Sequence, residues 1–285
     1  MALGAKNLID RVRAFAFDAT PGKQLIDNDC LAYLDSAVQY YQVKCATEGR
    51  DLFIRPLSVT LVANQEMYRW ARFVARIVMV ERSDLSPAIP ANPISFSDKY
   101  AYNLGWARNI PQTDNYFPRN GSIGVTPLPS SGTFRIFHAG SPPPLHYGTV
   151  SAGAATTLTF PAVPTRGNLL NNNNAYDEMP ILVTNSTERI VEHNVVSSYV
   201  ASTRVCTMGF TWVTTPTATH IYQLCPPIPE QFHMMIAMRA AMLAKLGLED
   251  DIDQFKIMEQ DFMSTFLSYI SKSQDQGPSM IRMYG

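Results

Sequence analysis

The run Phe232-His-Met-Met-Ile-Ala-Met-Arg-Ala-Ala-Met-Leu-Ala-Lys-Leu246 limits the fold more than any other stretch. Wound at about 100° per residue, it is apolar on almost every side. Its polar exceptions, His233, Arg239 and Lys245, share no stripe. A helix of this kind needs cover on more than one side. Pro229 and Glu230 suit its start, where a missing N–H costs nothing and a negative charge meets the helix dipole. Gly247 and Leu248 read as its stop. A second helix opens among Glu249, Asp250 and Asp251 and runs to about Ile270. Its apolar residues Ile252, Phe255, Met258, Phe262, Phe266 and Tyr269 recur every three or four positions, which predicts one apolar face. The two helices form an αα-hairpin whose first arm needs partners beyond its second.

The opposite end of the chain offers such partners. Asn7 can cap a short helix to about Phe17, with Leu8, Val12 and Phe15 on one face. Thr20-Pro-Gly-Lys23 is a turn. A stronger helix starts at Asp27 or Asn28, carries Leu31, Leu34, Val38, Tyr41 and Cys45 at spacings of three and four, and ends near Glu48-Gly49. The two terminal hairpins are expected to pack as one helical base.

Between them the period changes to two. Leu57, Val59 and Leu61 alternate with small polar residues, as in a half-buried strand. Residues 65–73 are ambiguous and read as a helical turn, Ile77–Val80 as a strand, and Ser97–Leu104 as a short helix. Ile123 and Val125, then Pro127–Gly132, then Thr133–His138 read as a hairpin. Further strands are expected at Thr156–Phe160, Ile181–Thr184, Val195–Val200, Thr203–Trp212 and His220–Leu224. Asn171–Asn174 reads as an exposed loop. The fold class is therefore α+β: a helical base made of N- and C-terminal αα-hairpins with a large central antiparallel β region. The expected divisions are 1–49, a helical hairpin; 50–225, the β-rich region; and 226–285, the second hairpin with a tail.

Charged residues are 16% of the chain and the net charge is −1. That balance argues against a nucleic-acid surface built on bulk positive charge. It also leaves copies of the chain little repulsion from one another. No apolar run is long enough to span a bilayer; the best, Val74–Val80, is interrupted by Arg76. The first residues have no apolar signal core, so synthesis and use in a cytoplasm-like compartment are expected, and Cys30, Cys45, Cys206 and Cys225 are expected as buried thiols.

Catalytic signatures are missing: there is no phosphate-binding Gly-rich loop, no HExxH and no GxSxG. His138, His146, His193, His220 and His233 fall on different elements. His220 with Cys206 and Cys225 is the least poor metal set, but it lacks the tight ligand pair of a structural zinc site. Glu249, Asp250, Asp251 and Asp253 are read as helix-start carboxylates before acid–base groups. Neither an enzyme nor a cofactor or metal site is expected. Tyr68-Arg-Trp-Ala-Arg-Phe73 loosely matches a nucleic-acid stacking site, and a solvated or interface edge accounts for it better. The Met-rich helix is either core or a pliable contact surface, and Met235, Met238 and Met242 are its candidate inter-subunit face. After the polar stretch from Lys272, the end Met280-Ile281-Arg282-Met283-Tyr284 has the make-up of a docking hook.

Three stretches carry a resemblance. These are Leu8-Ile-Asp-Arg-Val-Arg13 with the Asp27–Tyr41 helix, Val125-Thr-Pro-Leu-Pro-Ser-Ser-Gly-Thr-Phe-Arg-Ile-Phe137, and Ile228-Pro-Glu-Gln-Phe-His-Met-Met-Ile236 with its Ala-rich helix and acidic turn. Together they resemble bacteriophage head-to-tail adaptor (connector) proteins. The resemblance covers both ends and part of the middle, and 148–224 reads as an insertion. It implies a structural virion protein at the head-to-tail junction, made in the host cytoplasm. It further implies a homo-oligomeric ring, typically of twelve subunits, beneath the portal protein, with the tail segment on the portal and the β part toward tail or nozzle proteins. Double-stranded DNA would pass through without sequence-specific contact, and no membrane is involved. A head-to-tail ring interface is heterologous and closes by rotation. Two rival readings stay open: another tail or tail-completion protein with a receptor- or fibre-binding β domain, and a polymer hydrolase. The scarcity of acids between Asp114 and Glu230 weakens the second.

Overall fold

The computed structural model describes residues 3–16, 25–47, 53–69, 74–98, 114–119, 121–129, 131–185, 190–246 and 252–274. It is mixed α+β, with helices before and after a sheet region that is antiparallel except for one short parallel pair. The chain opens with α1 (Ala5–Ala16) and α2 (Asp27–Thr47). Eight strands follow: β1 (Ile54–Leu61), β2 (Met67–Arg69), β3 (Val74–Arg82), β4 (Ile89–Pro90), β5 (Asn92–Pro93), β6 (Asn115–Arg119), β7 (Ser122–Thr126) and β8 (Gly132–Gly140). Seven more come next: β9 (Tyr147–Thr149), β10 (Ala152–Ala154), β11 (Thr157–Thr159), β12 (Pro180–Thr184), β13 (Ile190–Val200), β14 (Val205–Met208) and β15 (Ile221–Leu224). A short 3₁₀ turn (Glu230–Phe232) leads into α3 (His233–Leu246), and α4 (Asp253–Gln274) ends the described chain.

Two compact units result, and their boundaries differ from the expected divisions. One joins Met1–Leu52 to Pro142–Gly285, and the other is Phe53–Ser141. The excursion from the helical base is thus 53–141, whereas 148–224, read as an insertion, belongs to the same unit as the helices. The physical reason is that each β segment builds its own core.

In the Phe53–Ser141 unit, one sheet runs β1-β8-β3-β4 and the other β2-β7-β6-β5. Leu61, Val80, Phe134 and Ile136 from the first and Tyr68, Tyr116, Ile123 and Val125 from the second share one buried cluster. The expected hairpin across Pro127–Gly132 does not form. β7 pairs with β2 and β6, and β8 pairs with β1 and β3. The proline-containing connection carries the chain from one sheet to the other, so both alternating runs bury their apolar residues in a shared core. Residues 67–69, read as part of a helical turn, form β2. The expected helix Ser97–Leu104 lies outside the described residues from 99 onward.

In the other unit, seven antiparallel strands run β10-β11-β14-β13-β12-β15-β9. Phe160, Tyr176, Tyr199 and Tyr222 stack edge-on or tilted, with centroids 4.5–5.9 Å apart. β12, the most apolar strand, is buried along its whole length. In the same unit α1 and α2 pack on α3, as the apolar surface of α3 demands. Among the described residues, no helix is long and apolar enough to cross a membrane.

Candidate functional site: the helical base

The three polar residues of α3 each meet a neighbour that packs on this helix. His233 accepts the Leu3 N–H on Nδ1 (3.0 Å) and donates from Nε2 to the Ile228 carbonyl (2.8 Å). These two bonds fix the neutral tautomer. Burial also holds its pKa below the usual histidine value. Arg239 donates to Glu259 Oε2 of α4 (2.9 Å), and its guanidinium lies 4.0 Å above the Tyr40 ring of α2. Tyr41 donates to the other oxygen of Glu259 (2.9 Å). Burial, then the carboxylate, raises the Tyr41 pKa, so this phenol stays a donor. Lys245 lies over the Phe255 ring of α4 at 5.6 Å.

Two more joints hold the first helices. Gln223, fully buried on β15, accepts the N–H groups of Lys6 (3.0 Å) and Asn7 (3.4 Å) at the start of α1. Those donors have no partner within their own helix. Asp27, in the first turn of α2, accepts from Arg13 (2.7 Å), Tyr147 (2.8 Å) and Arg166 (2.9 Å). Burial pushes its carboxyl up, but the three donors outweigh burial and hold it below the usual carboxylate range. Neither Gln223 nor Asp27 stood out as more than a strand residue and a helix cap, because their partners are far away in sequence.

The expected site residues fall as follows. Met235, Met238 and Met242 are 1%, 3% and 3% exposed. The chain's own helices cover them, so they are core, and the inter-subunit face expected there is corrected. The apolar side chains left to solvent lie elsewhere on the helices. On α4, Ile257 is 63%, Met258 48% and Tyr269 40% exposed, and on α2 Val43 is exposed too. Of the apolar face expected for this last helical stretch, Ile252 and Phe266 are buried and Phe255 and Phe262 half-buried, but Met258 and Tyr269 sit outside, and Ile270 is buried instead. The tail Met280, Ile281, Arg282, Met283 and Tyr284 lies outside the described residues, as do 70–73 of the aromatic–arginine run and the acids Glu249–Asp251.

Among the described residues, no group of three or more His, Cys, Asp or Glu side chains could hold a metal. Cys206 and Cys225 are buried thiols, and His220 Nδ1 is bonded to Thr217. His146 is the most enclosed histidine. Phe160, Tyr176 and Tyr222 ring it at 5.0–5.5 Å, and Nδ1 lies 3.1 Å from the Tyr222 hydroxyl. Burial pushes its pKa down to about 3, so it is neutral core. The base is thus an assembly of joints between distant parts of the chain. No protein-family model matches the sequence, and a search of curated proteins finds no match.

Proposed function

We propose that this protein is a structural head-to-tail adaptor of a bacteriophage virion. On this reading it forms a ring between portal and tail, typically of twelve copies, through which DNA passes, and it is not an enzyme. The observation that carries the reading is the helical base. Helices from both chain ends surround one almost wholly apolar helix, and α4 keeps Ile257, Met258 and Tyr269 outward. Beyond Gln274 the chain continues into a polar stretch that ends in Met280–Tyr284. An outward apolar edge suits side-by-side packing of copies, and the apolar segment Met280–Tyr284 after a polar stretch suits docking on a second ring. A net charge of −1 leaves the copies little repulsion to overcome.

The test removes that segment. Deleting Ser279–Gly285 is expected to leave the fold and thermal unfolding unchanged and to abolish co-sedimentation with the portal. Unchanged association contradicts the docking role.

A second reading, a tail protein whose β region binds a receptor or fibre, is favoured by one loop. Phe210 and Val213 are 58% and 92% exposed. Their backbone is nevertheless clamped: Asn194 bonds Phe210 through both side-chain atoms (2.9 and 3.2 Å), and Glu192 accepts from Val213 and Thr214. A loop held this firmly with apolar side chains outward is organised in advance for a contact.

A further inference from the structure

The chain returns from the Phe53–Ser141 unit through Pro142-Pro143-Pro144, a run with no backbone N–H. Leu145 carries the first N–H after Ser141. It donates to Asp35 Oδ1, midway along α2, at 2.8 Å. The three prolines, Pro227, Val38 and the exposed Gln39 line a partly open pocket of about 10 Å³ beside the half-buried Asp35 carboxyl. That is room for about one water. Among the described residues, the Leu145 N–H is the one donor that Asp35 meets.

This is a poor setting for a charge. A carboxylate in water is bonded by several donors, and here one N–H and a mostly apolar lining replace part of them. Burial pushes the carboxyl up to about 7, with the Leu145 N–H drawing it part of the way back. Among the described residues that line the pocket, Asp35 carries the one titratable side chain.

We propose that Asp35 is a proton-controlled latch on the proline connection: neutral, it tolerates the mostly apolar lining beside Leu145, and ionised, it draws water or a small cation into the pocket, against the pull of the Leu145 N–H, and loosens the connection. The direction follows from linkage. Asp35 holds its proton more tightly seated than free, so the seating it stabilises is complete in acid, below the ordinary carboxylate value. That stabilisation is lost as pH rises through about 7. The latch is independent of the adaptor reading and concerns how this chain re-enters its helical unit.

Asp35→Asn separates charge from shape, since its amide oxygen still accepts the Leu145 N–H and cannot ionise. Hydrogen exchange is measured on the intact protein from about pH 5.5 to 8.5, corrected for intrinsic rates. The peptide Ser141–His146 then reports the Leu145 and His146 amides, because the prolines have none. In the wild type, protection of this peptide is expected to fall about tenfold or more across the range, and in Asp35→Asn to stay flat. Equal pH dependence in the two proteins overturns the proposal. Carboxyl ¹³C titration of the wild type gives a second reading that needs no variant. A midpoint near 7 supports the latch, and one near 4, the ordinary range, overturns it.

Discussion

Gln223 does from a strand what a helix cap usually does from the next residue: it accepts the Lys6 and Asn7 N–H groups at the start of α1. The arrangement leaves no room for a side chain at residue 4, where a Cβ would lie 2.5 Å from the Gln223 Cβ and Oε1. Gly4→Ala must therefore push Gln223 aside and lose its bonds. The expected cost is ~1–3 kcal/mol, read as a lower urea midpoint with an unchanged slope. An unchanged midpoint would mean that the cap is not tight. Nothing in Ile221-Tyr-Gln-Leu224 announces this role, since a polar residue in an apolar strand normally reads as the solvent side. Asp35 was equally hidden, because its meaning depends on Leu145, which is 110 positions away. Residue-scale joints of this kind come from tertiary neighbours that no local pattern encodes.

Among the elements, α3 was the most legible. Its all-round apolar sequence demanded cover from several sides, and α1, α2 and α4 provide it. What the sequence left open was whether the last partner is the same chain or a copy. The buried methionines answer for α3, and the exposed side of α4 moves the question there. Two substitutions separate the roles. Met235→Asp places an unpaired carboxylate in the core and is expected to cost several kcal/mol, about 3 or more, giving unfolded or aggregated protein. Met258→Asp, on the outer side of α4, is expected to leave circular dichroism and melting close to wild type and, on the proposed ring, to yield monomers. Aggregation of Met258→Asp would return that side to the core. Long periodic helices were placed to within a few residues, because their signal repeats over many positions. β2, with three residues, and β6, with Pro118 and Arg119 at its end, offer too short a pattern to be told from turns. The false hairpin at Pro127–Gly132 has another cause: turn chemistry marks where a chain bends and is silent on which strand it then pairs with.

At the scale of the whole molecule, the α+β class was legible and the division into units was not. Both β segments alternate, so the strand pattern gives no boundary between them. The boundary follows from which residues share a core, as Phe134 and Ile136 share one with Tyr68 and Ile123. The proposed function rests at this scale too, on a helical base with an outward apolar edge and on the apolar segment Met280–Tyr284. Its central claim is that copies of the chain close into a ring. The most direct test is the mass of the purified protein, alone and with the portal, by native mass spectrometry. The account predicts a closed ring, either from the protein alone or once the portal is present. A monomer of 31.7 kDa that stays a monomer with the portal present would contradict it.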